Sequence, residues 1–180
     1  MLQIYNSLSG QKETFEPLFA NKVGIYVCGM TVYDYCHLGH ARVLIAFDII
    51  VRYLRSKGYD VNYVRNITDV DDKIIARAAE QNESVDRLTN RFIDAMHEDE
   101  KALAVMPPDR EPRATAYIPE IIKLIESLVA KGFAYQAASG DVFYNISQFP
   151  DYGKLSKRRL DEQQEGKRVE TDPNKKGAYD

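Results

Sequence analysis

Cys28-Gly29-Met30-Thr31-Val32-Tyr33-Asp34-Tyr35-Cys36-His37-Leu38-Gly39-His40 is the stretch around which the chain is organised. An apolar run, Val23-Gly24-Ile25-Tyr26-Val27, stands before it and reads as a buried strand. Residues 41–57 follow, with Phe47, Ile50, Val51 and Leu54 recurring at helical spacing. A strand, a loop with glycines and histidines, and a helix N-terminus together predict a phosphate-binding arrangement. Free backbone N–H groups and the positive end of the helix dipole face an anion placed there. Imidazoles held close to that point donate to phosphate oxygens as charge develops during transfer.

Outward from this stretch, residues 61–68 read as a second central strand, and Gly58 marks the end of the intervening helix. The strand–helix–strand order predicts a right-handed parallel crossover and an α/β, doubly wound sheet. Ligands in such sheets bind at the C-terminal ends of the strands, where residues 28–31 and 66–68 fall. Asp69, Asp71 and Asp72 open a helix over residues 73–80. Capping is the favoured reading of these carboxylates over a metal site, because no histidine or cysteine accompanies them. Residues 84–104 form a further helix, with His97 read as a surface residue.

Toward the N-terminus, residues 2–6 and 11–17 flank Ser9-Gly10 and predict an exposed β-hairpin. Met106-Pro107-Pro108-Asp109-Arg110-Glu111-Pro112 breaks the helical pattern and reads as a boundary. A helix starting between Thr115 and Pro119 and running to about Lys131 places Ile118, Ile121, Ile122, Ile125, Leu128 and Val129 on one buried stripe. Residues 133–136 and 141–145 around Ala138-Ser139-Gly140 predict a second hairpin. From Leu160 onward large apolar residues are almost absent, which predicts poor order.

The chain has 180 residues, 44% hydrophobic and 28% charged, within the range of a globular protein with a sizeable core. No apolar run approaches a membrane span, and no signal-peptide pattern stands at the N-terminus, so a cytoplasmic location is expected. The net charge of −3 lacks the basic excess of a stand-alone nucleic-acid binder. Lys157-Arg158-Arg159 and Lys175-Lys176 read as solvated surface. Cys28 and Cys36 share one loop and do not form a disulfide framework.

His37-Leu38-Gly39-His40 resembles the "HIGH" signature of class I aminoacyl-tRNA synthetases. The segment from Cys28 to Asp34 stands directly before it. Tyr63-Val64-Arg65-Asn66-Ile67-Thr68-Asp69-Val70-Asp71-Asp72-Lys73 stands one strand later. Together they resemble the cysteinyl-tRNA synthetase family, over nearly the whole chain but only the N-terminal part of that family's length. The resemblance implies the first half of a Rossmann-like parallel sheet with an edge hairpin, within residues 1–110. It implies that residues 111–180 belong to an α+β connective insertion.

The resemblance also implies roles. His37 and His40 would be catalytic, and His37, Gly39 and His40 would bind ATP. Gly29, Thr31, Asn66 and Thr68 would contact the cysteine substrate or its adenylate. Cys28 would be one of four protein ligands to a zinc ion, and magnesium would accompany ATP. Zinc would help reject serine, since an open zinc position prefers a thiolate to a hydroxyl. No cysteine follows Cys36 and no histidine follows His97, so the other zinc ligands are not expected in this chain. Cys36 reads as packed in the loop. Lys154-Leu155-Ser156-Lys157-Arg158 is similar to the second class I signature, "KMSKS", but stands too early in the chain and reads as a surface loop. The implied partners are ATP, L-cysteine and tRNA(Cys), with no membrane and a monomeric state. Two competitors share these residues: a ligase joining cysteine to an amino sugar in mycothiol synthesis, and a folded, non-catalytic fragment.

Overall fold

The computed structural model describes residues 2–157 and 174–177. Two compact units emerge, one of Pro17–Ile118 and one of Met1–Glu16 with Pro119–Asp180. Near the N-terminus β1 (Gln3–Asn6) and β2 (Gln11–Thr14) pair antiparallel as an exposed ribbon, Gln3 opposite Thr14 and Asn6 opposite Gln11.

The unit of Pro17–Ile118 carries the parallel sheet. β3 (Lys22–Val27) leads through a loop into α1 (Leu38–Ser56), and β4 (Asp60–Arg65) returns parallel to β3, Lys22 opposite Asp60 and Val27 opposite Arg65. Burial alternates as the pleat demands. Val23 and Val27 face inward from β3, and Val61, Tyr63 and Arg65 from β4. The buried-strand expectation for β3 holds on one face only: Tyr26 is 66% exposed. Period-2 geometry sends it to the face opposite Val23 and Val27, and among the described residues that face is open. α1 buries Leu44, Val51 and Leu54, while Ile50, placed on the apolar stripe by its spacing, is exposed.

The proline-rich stretch after α3 forms a third line of the sheet. The N–H groups of Arg65 and Ile67 donate to the carbonyls of Arg110 (3.1 Å) and Pro112 (2.8 Å), and Ala114 N–H donates back to Ile67 O (3.0 Å). Pro112 is tolerable there because its position contributes only a carbonyl to the ladder. Asp109 fixes the approach, accepting from Tyr63 N–H at 2.7 Å and from Arg55 Nη2 at 2.8 Å.

α2 (Asp72–Glu80) and α3 (Val85–Ala102) close the core below the strand ends. Ile74 and Ala78 of α2 pack with Leu88, Phe92, Ile93 and Met96 of α3, and with Val32 and Ile67 from the loops after the strands. The Asp71 carboxylate caps α2, accepting from Lys73 N–H at 2.9 Å, and the Ser84 hydroxyl caps α3, accepting from Arg87 N–H at 3.3 Å. Asp69 is buried and accepts from the N–H and hydroxyl of Thr115, at 2.9 and 2.6 Å. The aspartates thus cap and tether.

In the other unit α4 (Ile118–Ala130) leads to the hairpin of β5 (Ala134–Gln136) and β6 (Val142–Tyr144), Ala134 opposite Tyr144. The α4 stripe expected to be buried is not: Ile118, Ile121, Ile122 and Val129 are exposed, and Ile125 and Leu128 half-buried. Periodicity defines an apolar face but not a partner to cover it. Residues 154–157 lie in exposed turns, as read for the "KMSKS" look-alike. The expectation for residues 160–180 falls, apart from 174–177, outside the described residues. Among the described residues no helix is long and apolar enough to cross a membrane.

Leu88 is fully buried in the α2–α3 core. Leu88→Ala should cost about 2–5 kcal/mol in urea unfolding. Ile49→Gln, on the 61%-exposed position of α1, should stay within about 0.5 kcal/mol of the parent.

Candidate active site

The site is built where β3 and β4 run out. The ladder continues past the strands: Thr68 N–H donates to Met30 O and Val32 N–H to Thr68 O, both at 3.2 Å, pairing Thr31 with Thr68. Between these points the two backbones nearly touch. A Cβ placed on Gly29 would sit 1.6 Å from the Asn66 carbonyl oxygen, so only glycine fits. The Asn66 side chain locks the junction, with Oδ1 accepting from Gly29 N–H at 2.8 Å and Nδ2 donating to Thr68 Oγ1 at 3.2 Å. Gly29 and Thr31 thus form one structural unit with Asn66 and Thr68, although Gly29 and Asn66 are 37 positions apart in the chain.

The loop then turns into α1, and its histidines form the helix cap. His37 Nδ1 accepts from Gly39 N–H at 3.0 Å, and His40 Nδ1 accepts from His37 N–H at 3.2 Å. A ring nitrogen accepts only when it carries no proton, so these bonds assign the proton of each neutral ring to Nε2. The rings stack with centroids 3.8 Å apart. Burial, followed by the proximity of His37, holds the His40 pKa below its ordinary value. Gly39 keeps this stack possible: a Cβ there would lie 2.7 Å from His37 Cε1. The result is two Nε2–H donors presented at the positive end of a 19-residue helix.

Cys28, Gly29, Thr31 and His40 line a cavity of about 270 Å³, together with Arg65 and Met96. His37, Gly39, Asn66 and Thr68 do not line it and adjoin it through the bonds above. Cys28 is exposed, and its thiol lies 3.6 Å from the Gly29 carbonyl. Cys36 points elsewhere, its thiol 3.4 Å from Met30 Sδ, and burial followed by Asp99 pushes its pKa up to about 11. It is therefore a neutral thiol. Zinc needs several deprotonated donors in one place. Cys28 brings one; Cys36 and the two Nδ1 atoms are otherwise engaged. The described residues do not make a zinc site on their own.

Arg65 went unnoticed in the sequence, though its signal is there. Positions 61, 63, 65 and 67 share the buried face, so an arginine at 65 must be buried and must find partners. Its side chain is 4% exposed and pairs with Glu100 of α3 at 2.5 Å and with Glu111. His97, read as a surface residue, is 45% exposed and its Nε2 lies 2.7 Å from Glu111. Burial pushes the Glu100 carboxyl up, with Arg65 pulling against it. His97, Glu100 and Glu111 offer donor atoms within 4.8 Å of one another, but the Arg65 guanidinium is already the cation paired with both carboxylates.

Comparison with known proteins adds an independent view. The family "tRNA synthetases class I (C) catalytic domain" matches residues 14–180. The chain is 68% identical over 180 residues to a cysteine–tRNA ligase of Hahella chejuensis and 59% identical over 179 residues to one of Psychrobacter cryohalolentis. It spans only 38% and 37% of those proteins, respectively. Among solved structures, it is similar to Mycobacterium tuberculosis methionyl-tRNA synthetase in complex with methionyl-adenylate. The TM-score is 0.56 and the identity 28%, over 62% of this chain and 23% of that one.

Two tests follow from the geometry. Gly29→Ala should force the strand ends apart and cost about 1–3 kcal/mol in urea unfolding. His40 has a depressed pKa in the fold, so its contribution is complete above the unfolded value of about 6.5 and is lost as pH falls below it. The urea midpoint should drop between about pH 7 and 5, with a shallower slope in His40→Gln.

Proposed function

The chain belongs to the class I (C) tRNA synthetase catalytic-domain family, and on that premise we propose that the complete protein activates L-cysteine with ATP and transfers the cysteinyl group to tRNA(Cys). The observation that carries this reading is the histidine cap. Both Nδ1 atoms are consumed by the backbone, so His37 and His40 present Nε2–H groups at the helix N-terminus, beside the cavity lined by Cys28, Gly29 and Thr31.

In the proposed first step a cysteine carboxylate oxygen attacks the α-phosphorus of ATP. A phosphorus–oxygen bond forms to the amino acid, the bond to the bridging oxygen breaks, and pyrophosphate leaves. Negative charge grows on the phosphoryl oxygens in between. His37 and His40 supply donors already aimed before the reaction, which is where electrostatic stabilisation is most effective. Gly39 lets the nucleotide approach the backbone closely. Magnesium would enter with the ATP and would neutralise charge on its phosphates. In the second step a hydroxyl at the tRNA 3′ end attacks the cysteinyl carbonyl, and AMP leaves. No side-chain nucleophile is needed, because positioning of the two reactants lowers the barrier.

Gly29, Thr31, Asn66 and Thr68 are proposed to hold the cysteinyl portion. The locked Gly29–Asn66–Thr68 junction, at the C-terminal ends of the two parallel strands, supports this. Cys28 is proposed as one zinc ligand of the complete protein. Among the described residues no further set of ligands stands with it; in the complete protein the bound zinc would favour a thiolate over a hydroxyl.

For this chain alone the favoured reading is a folded, non-catalytic piece. It spans less than two fifths of the two relatives named above, and Cys28 has no companion ligands among the described residues. Cysteine-dependent exchange of labelled pyrophosphate into ATP tests the point, with serine as control. No exchange is expected from the 180-residue chain, and after dialysis it should retain well below one zinc per molecule. Exchange with cysteine, or one tightly held zinc, would show the chain to be self-sufficient. In the complete protein His37→Ala should lower the exchange rate by about 10²–10³-fold without a comparable loss of folding stability.

A further inference from the structure

Arg65 lies in the cavity wall and at the meeting point of three elements. Its backbone N–H donates to Arg110 O of the edge segment at 3.1 Å. Its guanidinium pairs with Glu100 of α3 and with Glu111 of the edge segment. Its Cγ would stand 3.6 Å from a Cβ on Gly29, so its stem packs against the point of closest backbone approach. The next residue is Asn66, whose side chain bonds both Gly29 and Thr68. A charge this deeply buried is of little use as a long-range attractant, because two carboxylates already neutralise it. Its effect is geometric: one nitrogen, Nη2, sits between carboxylates from two different elements, while Nε is buried without a hydrogen-bond partner among the described residues, so the guanidinium end is tied to both elements at a single point.

We propose that Arg65 is a positioning residue for the cysteine-binding end of the site. Clamped by Glu100 and Glu111, it fixes the end of β4, so that Asn66 and Thr68 keep their bonds to Gly29 and to the residues around Thr31. The proposal rests on the reading of residues 29, 31, 66 and 68 as the amino-acid subsite. It makes the buried ion cluster, and not the strand ladder alone, responsible for that subsite's shape. The ladder ends at Arg65, and only isolated bonds join the backbones beyond it.

Replacing a buried ion cluster by apolar side chains of similar volume often leaves stability intact, which separates folding from positioning. The test variant is therefore Arg65→Met with Glu100→Met and Glu111→Met in one 180-residue chain. Amide hydrogen exchange is followed by NMR at Val32 and Thr68, whose N–H groups make the bonds beyond the strands, and at Ile74 and Leu88 in the core. Binding of a non-hydrolysable sulfamoyl analogue of cysteinyl adenylate is measured by calorimetry, beside binding of ATP. The expected result is about tenfold or faster exchange at Val32 and Thr68, with core protection kept. Affinity for the analogue should fall by about tenfold or more while ATP affinity holds. A folded variant with parental exchange at Val32 and Thr68 overturns the proposal. So does an equal loss of protection in the core, since that would be a purely structural role. If the triple variant does not fold, Glu111→Gln takes its place under the same criteria. If the parent chain fails to bind the analogue, the amino-acid-subsite reading falls for this chain. The exchange comparison still decides whether Arg65 positions the junction.

Discussion

At Gly29 and Asn66 two parallel strands that have finished their regular ladder come within a distance that no side chain allows. Much of the site depends on that contact. It brings the loop after β3 against the loop after β4, so residues 28–31 and 66–68 form a single surface. It also lets the Asn66 amide serve as a short cross-link, one end on Gly29 and the other on Thr68. A parallel sheet normally diverges beyond its last paired residues, since loops leave in different directions. Here the divergence is delayed by bonds between Met30, Val32 and Thr68, and Val32 and Ile67 are drawn down into the α2–α3 core.

That junction is held from behind by charge. Arg65, Glu100 and Glu111 form a buried cluster whose desolvation is expensive and whose mutual attraction offsets it only because the geometry is close. Such clusters contribute less to stability than apolar packing of equal volume would. In some proteins they instead favour one arrangement, because each buried charge must meet its partner. Its location beneath the cavity fits that trade.

The helix cap shows a second economy. An ordinary N-cap uses serine, threonine, asparagine or aspartate. Here histidine Nδ1 atoms do the capping, which leaves Nε2 as a donor in each ring and fixes both tautomers through the backbone. Capping and presentation of donors are the same set of bonds. Burial, followed by the neighbouring His37 ring stacked on it, holds the His40 pKa down, which favours the neutral ring whose Nδ1 accepts from the backbone.

The sequence by itself determined the elements, the parallel pairing and the loop that carries the site. Those follow from local physics: strand and helix periodicity, capping residues, and glycines flanking a histidine pair. The Cys28 to His40 stretch, with the Asn66 to Thr68 segment one strand later, was enough to identify the family it resembles. Tertiary structure alone decided the rest. It showed that Gly29 is required by a backbone thirty-seven positions away, and that the proline-rich stretch supplies a third line of the sheet. It showed that His97 is bonded to Glu111 and that the α4 stripe is exposed. Burial of Arg65 could have been read from its phase in β4, but not its partners. A side chain's phase is set by its neighbours in sequence, whereas its partner is set by which distant segment the fold brings to it.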